Sequence, residues 1–299
     1  MRRLAGTVLV GLAALLVGGC PPGAAPHAPP ATVPLETAGI SPSADVSRLA
    51  AVLAATVTDD GRFLPIELHK RAGELEAQLR LLAVSGPSVT PGLYPTEADR
   101  WAYWYNARVA WSLKLAALAM GSNPPAEGPA AAPAWLEERL FPLDGRSLSL
   151  SAIDQILLAE ARRSGQWRLA ACAPGASYAD APMPSRPYRA DDFPRRLTEW
   201  FDRLMADGRR AVIDIDEKAL RVPPMALACR DLAVRQYERE TGATQAEFLT
   251  ALRAGVGDPT RRRLDDALGY PVVARLRPAD FAIPNRQVYF PGSIGKVER

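Results

Sequence analysis

Histidine and lysine are scarce in this chain of 299: two histidines, and four lysines among 36 basic residues. With His27 and His69 alone, a histidine-built metal centre is excluded, and so is any proton relay that needs several imidazoles. Three cysteines are too few for a disulfide-stapled scaffold. Charge of one sign is missing too, since 36 basic residues face 33 acidic ones. The basic residues are scattered apart from Arg209-Arg210 and Arg261-Arg262-Arg263, so no nucleic-acid partner is expected. There is no phosphate-cradling glycine loop, no serine nucleophile elbow and no internal repeat. No metal or cofactor is expected.

The amino terminus does carry a signal. Arg2-Arg3, an apolar stretch from Leu4 to Val17, and Val17-Gly18-Gly19-Cys20 form a short positive segment, a short apolar one and a small-residue end. The pattern resembles the bacterial lipobox. The resemblance implies that residues 1–19 are a lipoprotein signal peptide and that Cys20 carries the lipid (diacylglycerol and a fatty acid such as palmitate). It implies a membrane partner through that anchor and, with Pro21 next, a cell-envelope address on the outer membrane facing the periplasm. Loss of Arg2 and Arg3 with the leader leaves 34 basic residues against 33 acidic. Residues 20–43 are rich in proline and alanine without apolar periodicity, which predicts an extended tether carrying His27. Residues 44–299 are long enough for a single globular domain with a proper core.

That domain is organised around the stretch from Tyr94 to Gly121. Thr96 and Asp99 have capping-box spacing, and only Asn106, Arg108, Ser112 and Lys114 are polar between Trp101 and Met120. Those four do not gather on one side, which predicts a central buried helix over about 96–120 rather than a surface one. They also interrupt the run short of the ~18 uninterrupted apolar residues of a membrane span. Arg108 falls among Trp101, Trp104 and Trp111, whose faces suit guanidinium stacking. Asn106 faces the other way and needs partners, either a neighbouring loop or a ligand. Tyr105 and Arg108 join it as candidate ligand-contacting or structural polar residues.

Helical spacing recurs over Ser47–Val57 and Glu67–Val84, the latter with His69 in its charged first turn. Asp144-Gly145 reads as a turn ahead of a helix opened by Ser149 or Ser151. Trp167 to Cys172 alternates and predicts a strand, followed by a sharp Pro/Gly loop. Helix returns over Asp191–Met205. Ala211–Asp216 with Lys218–Val222 reads as a hairpin, and Pro223-Pro224 opens a helix running to about Tyr237. Thr244 with Glu247, and Asp258 with Pro259, are caps for two more helices, and Val272–Arg275 is a last strand. The class is α+β: a mostly helical single domain with a small sheet of four or five short strands around the central helix.

In order, Trp101-x3-Tyr105-Asn106, Gly145-x2-Leu148-Ser149-Leu150-x2-Ile153-Asp154, Ala171-Cys172 with its loop, Leu220 to Asp231, and Pro278-x-Asp280-Phe281-x-Ile283-x-Asn285 resemble successive motifs of the domain of unknown function 547 family. The similarity spans about residues 94–285 and implies a diverged member. Where the family has Trp-Ile-Asn this chain has Trp101-Ala102-Tyr103. Trp111 and Gln155 replace usual histidines, and Ser177-Tyr178 stand near the place of a second cysteine. If those histidines and that cysteine do chemistry in relatives, this chain lacks the means.

Cys172 has three readings open at this point: a nucleophile, a buried apolar residue, or half of a disulfide with Cys229. Asp180, Asp191-Asp192, and Asp280 with Asn285 either converge in one cleft for acid/base work or a hard cation, or are solvated loop acids. The residues favour a lipid-anchored, non-catalytic binding or interaction module for an envelope partner or ligand. The alternative is a hydrolase or acyl-transfer enzyme using Cys172 or the loop carboxylates Asp180 and Asp280; a purely structural envelope component is a third reading.

Overall fold

A computed structural model describes residues 32–122, 130–275 and 280–284. Cys20, His27, the leader, the first part of the tether and Asn285 therefore lie outside the described residues. The central element is as expected: α4, Glu97–Met120, begins at a capping box in which Thr96 Oγ1 accepts from the Asp99 amide and Asp99 Oδ2 from the Thr96 amide. Trp101 to Leu113 is buried without interruption. The hydrophobic effect places it there, since every turn of that stretch carries apolar area on all sides.

Around it pack α2 (Pro65–Lys70), α3 (Ala72–Val84) and α5 (Leu150–Ser164), with α1 (Ser47–Thr56) lying against α2 and α3. The helix expected over Glu67–Val84 is two helices, broken at Arg71, where φ −99° and ψ 12° leave the helical well. Ser149 caps α5 by accepting from the Ala152 amide. The Asp144-Gly145 turn joins β1 (Phe141–Leu143) to β2 (Arg146–Leu148), with positive φ at both turn residues, as a tight hairpin demands.

The alternating stretch after Trp167 is not a strand. It forms a single helical turn, α6 (Arg168–Ala171), and Cys172 is its C-cap. Six alternating residues are too few to separate strand from buried turn, and here packing decides. Trp167 meets Phe201 of α7 (Leu197–Ala206) edge-on at 4.7 Å, and the Arg168 guanidinium lies over both rings.

A second sheet has the order β3 (Val212–Asp214), β4 (Ala219–Val222), β5 (Val272–Ala274), the first pair antiparallel and the second parallel. The helix from Pro224 is interrupted at Cys229, giving α8 (Pro224–Ala228) and α9 (Arg230–Thr241). α10 (Phe248–Ala254) starts without the expected Thr244 cap, and α11 (Asp258–Asp265) has Gly257 rather than Asp258 at its N-cap. With eleven α-helices, a two-stranded sheet and a three-stranded sheet among the described residues, the fold is a mostly helical α+β domain. No helix among those residues is long and apolar enough to cross a membrane.

Part of the expected tether is attached to the domain. Val33 is buried and its amide donates to Leu140 O at 2.7 Å, while the Ser43 amide donates to Ser85 Oγ at 2.9 Å. The chain from Thr32 to Val46 is thus a strap lying against the globule.

Candidate functional site

Arg108 does not stack on the indoles. Its Nε donates to Asp154 Oδ1 at 2.6 Å, and its Nη2 to Asp154 Oδ2 at 3.1 Å and Asp180 Oδ1 at 2.9 Å. Nη1 donates to Pro174 O. All three side chains are buried, and the two carboxylates hold the guanidinium pKa well above its usual value against the opposing effect of burial. A cation that loses all its water in a protein interior needs charge partners of this kind.

The loop after Cys172 is built onto this cluster. Ser177 Oγ donates to Asp180 Oδ2 at 2.8 Å, and a Cβ placed on Gly175 would come within 2.5 Å of Arg108 Nη1. Arg210, also fully buried, donates to the carbonyls of Ser177, Asp180 and Gly61. The loop is internal, and Asp180 is a structural ion-pair partner rather than a solvated acid. The other acids do not join it. Asp192 is buried against Arg186 and Arg196, whereas the Asp191 and Asp280 side chains are exposed. Burial alone would raise the Asp192 carboxyl, but hydrogen bonds from Arg186 and the Arg189 amide hold it below the usual carboxylate range.

Cys172 is 1 % exposed, its Sγ lying 3.9 Å from Leu197 O. Burial pushes this thiol far above its ordinary pKa and Cys229 up to about 12, so neither is a thiolate near neutral pH. Both are free, and no disulfide joins them. His69 is exposed on α2, and among the described residues no base is hydrogen-bonded to the Cys172 sulfur. Of the three readings, the buried apolar residue is the one the geometry supports.

Asn106 resolves into a backbone latch. Its Oδ1 accepts from the Tyr188 amide at 2.8 Å and its Nδ2 donates to Tyr188 O at 2.9 Å. Tyr105 donates from its hydroxyl to Leu169 O and packs edge-on with Tyr188 and Phe193. By fixing Tyr188, Asn106 sets one end of an open groove of about 370 Å³ on this face of α4. Ala102, Tyr103 and Asn106 form its floor, Leu82 and Gln78 of α3 one side, and Leu93 with Tyr94 an entrance. Asp99, Asp45 and Arg189 bring charge to the rim, and the strap residues Ser43–Val46 close the remaining side. Tyr94 and Tyr103 meet at 4.9 Å between ring centres, and the Tyr103 hydroxyl lies 2.9 Å from both Leu82 O and Ser85 O, which share its single proton. Burial, then the nearby Asp144 charge, pushes the Tyr94 hydroxyl up to about 12, so it stays a neutral donor.

Asn106 is legible in the sequence as a site candidate, whereas Gln78, Tyr94, Tyr103 and Tyr188, which come from four segments, are not. The one available signal was an amide placed on an otherwise apolar helix face. Among the described residues no group of histidine, cysteine or carboxylate side chains is arranged to hold a metal. No family model matches the chain, and no curated protein or solved structure matches it either.

Proposed function

We propose that this chain is a lipid-anchored cell-envelope protein acting as a non-catalytic binding module, with the α4 groove as its ligand site. The observation that carries this reading is the groove's construction. It is an open concavity of about 370 Å³ in which the tyrosine and alkyl surface of Tyr94, Tyr103, Leu82 and Leu93 lies beside fixed polar groups, the Asn106 amide, Gln78 and Ser43, and the charged Asp45, Asp99 and Arg189. A small number of placed polar groups beside apolar surface is what orients a small ligand in a concave site. The ligand class that fits is small and amphipathic, with an apolar body along Tyr94, Tyr103 and Leu82 and a polar end toward Asp45, Asp99 or Arg189. Against the hydrolase or acyl-transferase reading stand a thiol held protonated by burial and an Asp180 already engaged by Arg108. The resemblance to the domain of unknown function 547 family is compatible with a member whose chemistry is gone.

A fragment screen by ligand-observed NMR on the purified full chain tests the site. Ala102→Trp fills the floor and should weaken groove hits at least tenfold; hits that bind equally well to this variant would place the site elsewhere and sink the reading. The address is tested separately by intact mass after membrane extraction. Acylation at Cys20 is expected, and a freely soluble mature protein without fatty acid would overturn it.

A further inference from the structure

The strap that closes the groove is also the segment through which residues 20–31 join the domain. Its described contacts are few. Val33 is its one fully buried apolar anchor, with Leu35 and Val46 half-buried against the core. Hydrogen bonds to the body run from the Val33 amide to Leu140 O, from the Ser43 amide to Ser85 Oγ, and from Gln78 Nε2 to Asp45 O at 3.0 Å. Between these points the chain makes a turn at Thr37–Ile40 and otherwise has no regular secondary structure, with no strand pairing among the described residues. By contrast the floor beneath it belongs to the stretch of α4 that is buried without a break from Trp101 to Leu113. Local opening in proteins starts where few apolar contacts hold a segment.

We propose that residues 33–46 are a movable wall: release of the strap from Val33 and Ser85 opens the groove, so groove occupancy and strap docking are coupled. Coupling of this kind is reciprocal, so a ligand touching Asp45 or Val46 would tighten the strap as much as a docked strap tightens the ligand. Docking of the strap would then respond to whatever the amino-terminal tether is attached to. The inference rests on the groove being the binding site for its consequence, but not for its geometry.

Hydrogen–deuterium exchange and hydroxyl-radical footprinting of the full chain test it without a ligand. In the unsubstituted protein the Val33 and Ser43 amides should exchange at least tenfold more slowly than in the unfolded chain. Val33→Asp should accelerate both at least tenfold and raise oxidation of Tyr94 at least twofold, with α5 amides unchanged. Should that variant fail to fold, Ser85→Ala, which removes only the Ser43 tie, should still accelerate Ser43 exchange and Tyr94 oxidation. Unprotected Val33 and Ser43 amides in the unsubstituted protein, or a released strap with Tyr94 oxidation unchanged, would overturn the proposal. Such a failure leaves the Ala102→Trp binding result standing, so the two readings fail separately.

Discussion

Arg108 and Asn106 stand two residues apart on one helix, about 200° around its axis, and the two faces they define are opposites. On the arginine face every charge is matched internally, by Asp154 and Asp180, and Arg210 ties the same loop to Gly61. On the asparagine face one amide holds one backbone segment and leaves a concavity beside it. Polar residues on a buried helix thus serve two ends. A fully paired ion cluster locks distant segments together and leaves no room for a guest, whereas a single satisfied amide shapes an opening.

The sharpest way to break this contrast is Arg108→Met. It removes the buried cation that faces two buried carboxylates, and loss of one partner from a buried ion cluster costs about 3–5 kcal/mol. Urea unfolding should show a loss of that size, or no folded protein at all. A loss below about 1 kcal/mol would mean the cluster is wetter than its burial suggests. Gly175→Ala tests the same contact sterically, since its methyl has to displace Arg108 or Asp180. A loss of about 1–3 kcal/mol is expected from such overpacking.

Asn106→Leu comes next. It removes both hydrogen bonds to the Tyr188 backbone, leaving a buried N–H and C=O unmatched at about 1–3 kcal/mol. Unlike Arg108→Met, it should also raise Tyr188 amide exchange and alter the binding of groove fragments. A variant that loses stability but keeps both unchanged would detach Asn106 from the groove.

What could be read beforehand divides along a physical line. The α4 capping box, the Asp144-Gly145 turn and the Ser149 cap are interactions across three or four residues, and composition at that range specifies them. Arg108 meets partners 46 and 72 residues away, which no local spacing reveals. A cation inside an apolar helix did demand acids somewhere, and stacking on tryptophans was the wrong supply. The short turn at Arg168–Ala171 failed as a strand for the opposite reason, because its alternating pattern is real but its conformation is set by Phe201 and the body around it. The groove was illegible because its walls converge only in the folded chain.

The thiols extend the contrast to pH. Burial raises Cys172 and Cys229 above the ordinary value of 9.0 in the folded state, so below that value neither thiol makes stability pH-dependent. As pH rises past it, the unfolded chain releases protons that the folded chain keeps, and stability falls by at most about 1.4 kcal/mol per thiol per unit. Urea midpoints should therefore drop between pH 9 and pH 11. Cys172→Ala should flatten that decline, and labelling of Cys172 and Cys229 at pH 8, followed by peptide mass, should be seen only in denaturant; rapid labelling of either in the native protein would contradict the buried assignment.

The smallest expected effect bears on the rim. Thr96 Oγ1 donates to Asp99 Oδ2 at 2.6 Å while accepting from the Asp99 amide, so the cap of α4 also holds a groove carboxylate in place. Thr96→Ala removes a helix cap, at about 1 kcal/mol, and lets the Asp99 carboxylate swing. Fragments with a cationic end should change affinity by a small factor, about two- to fivefold, while neutral ones should not, since a partly exposed charge contributes only modestly. Equal shifts for both kinds would mean that Asp99 bounds the groove by shape alone, and the contrast between the two faces of α4 would then rest on packing rather than on charge.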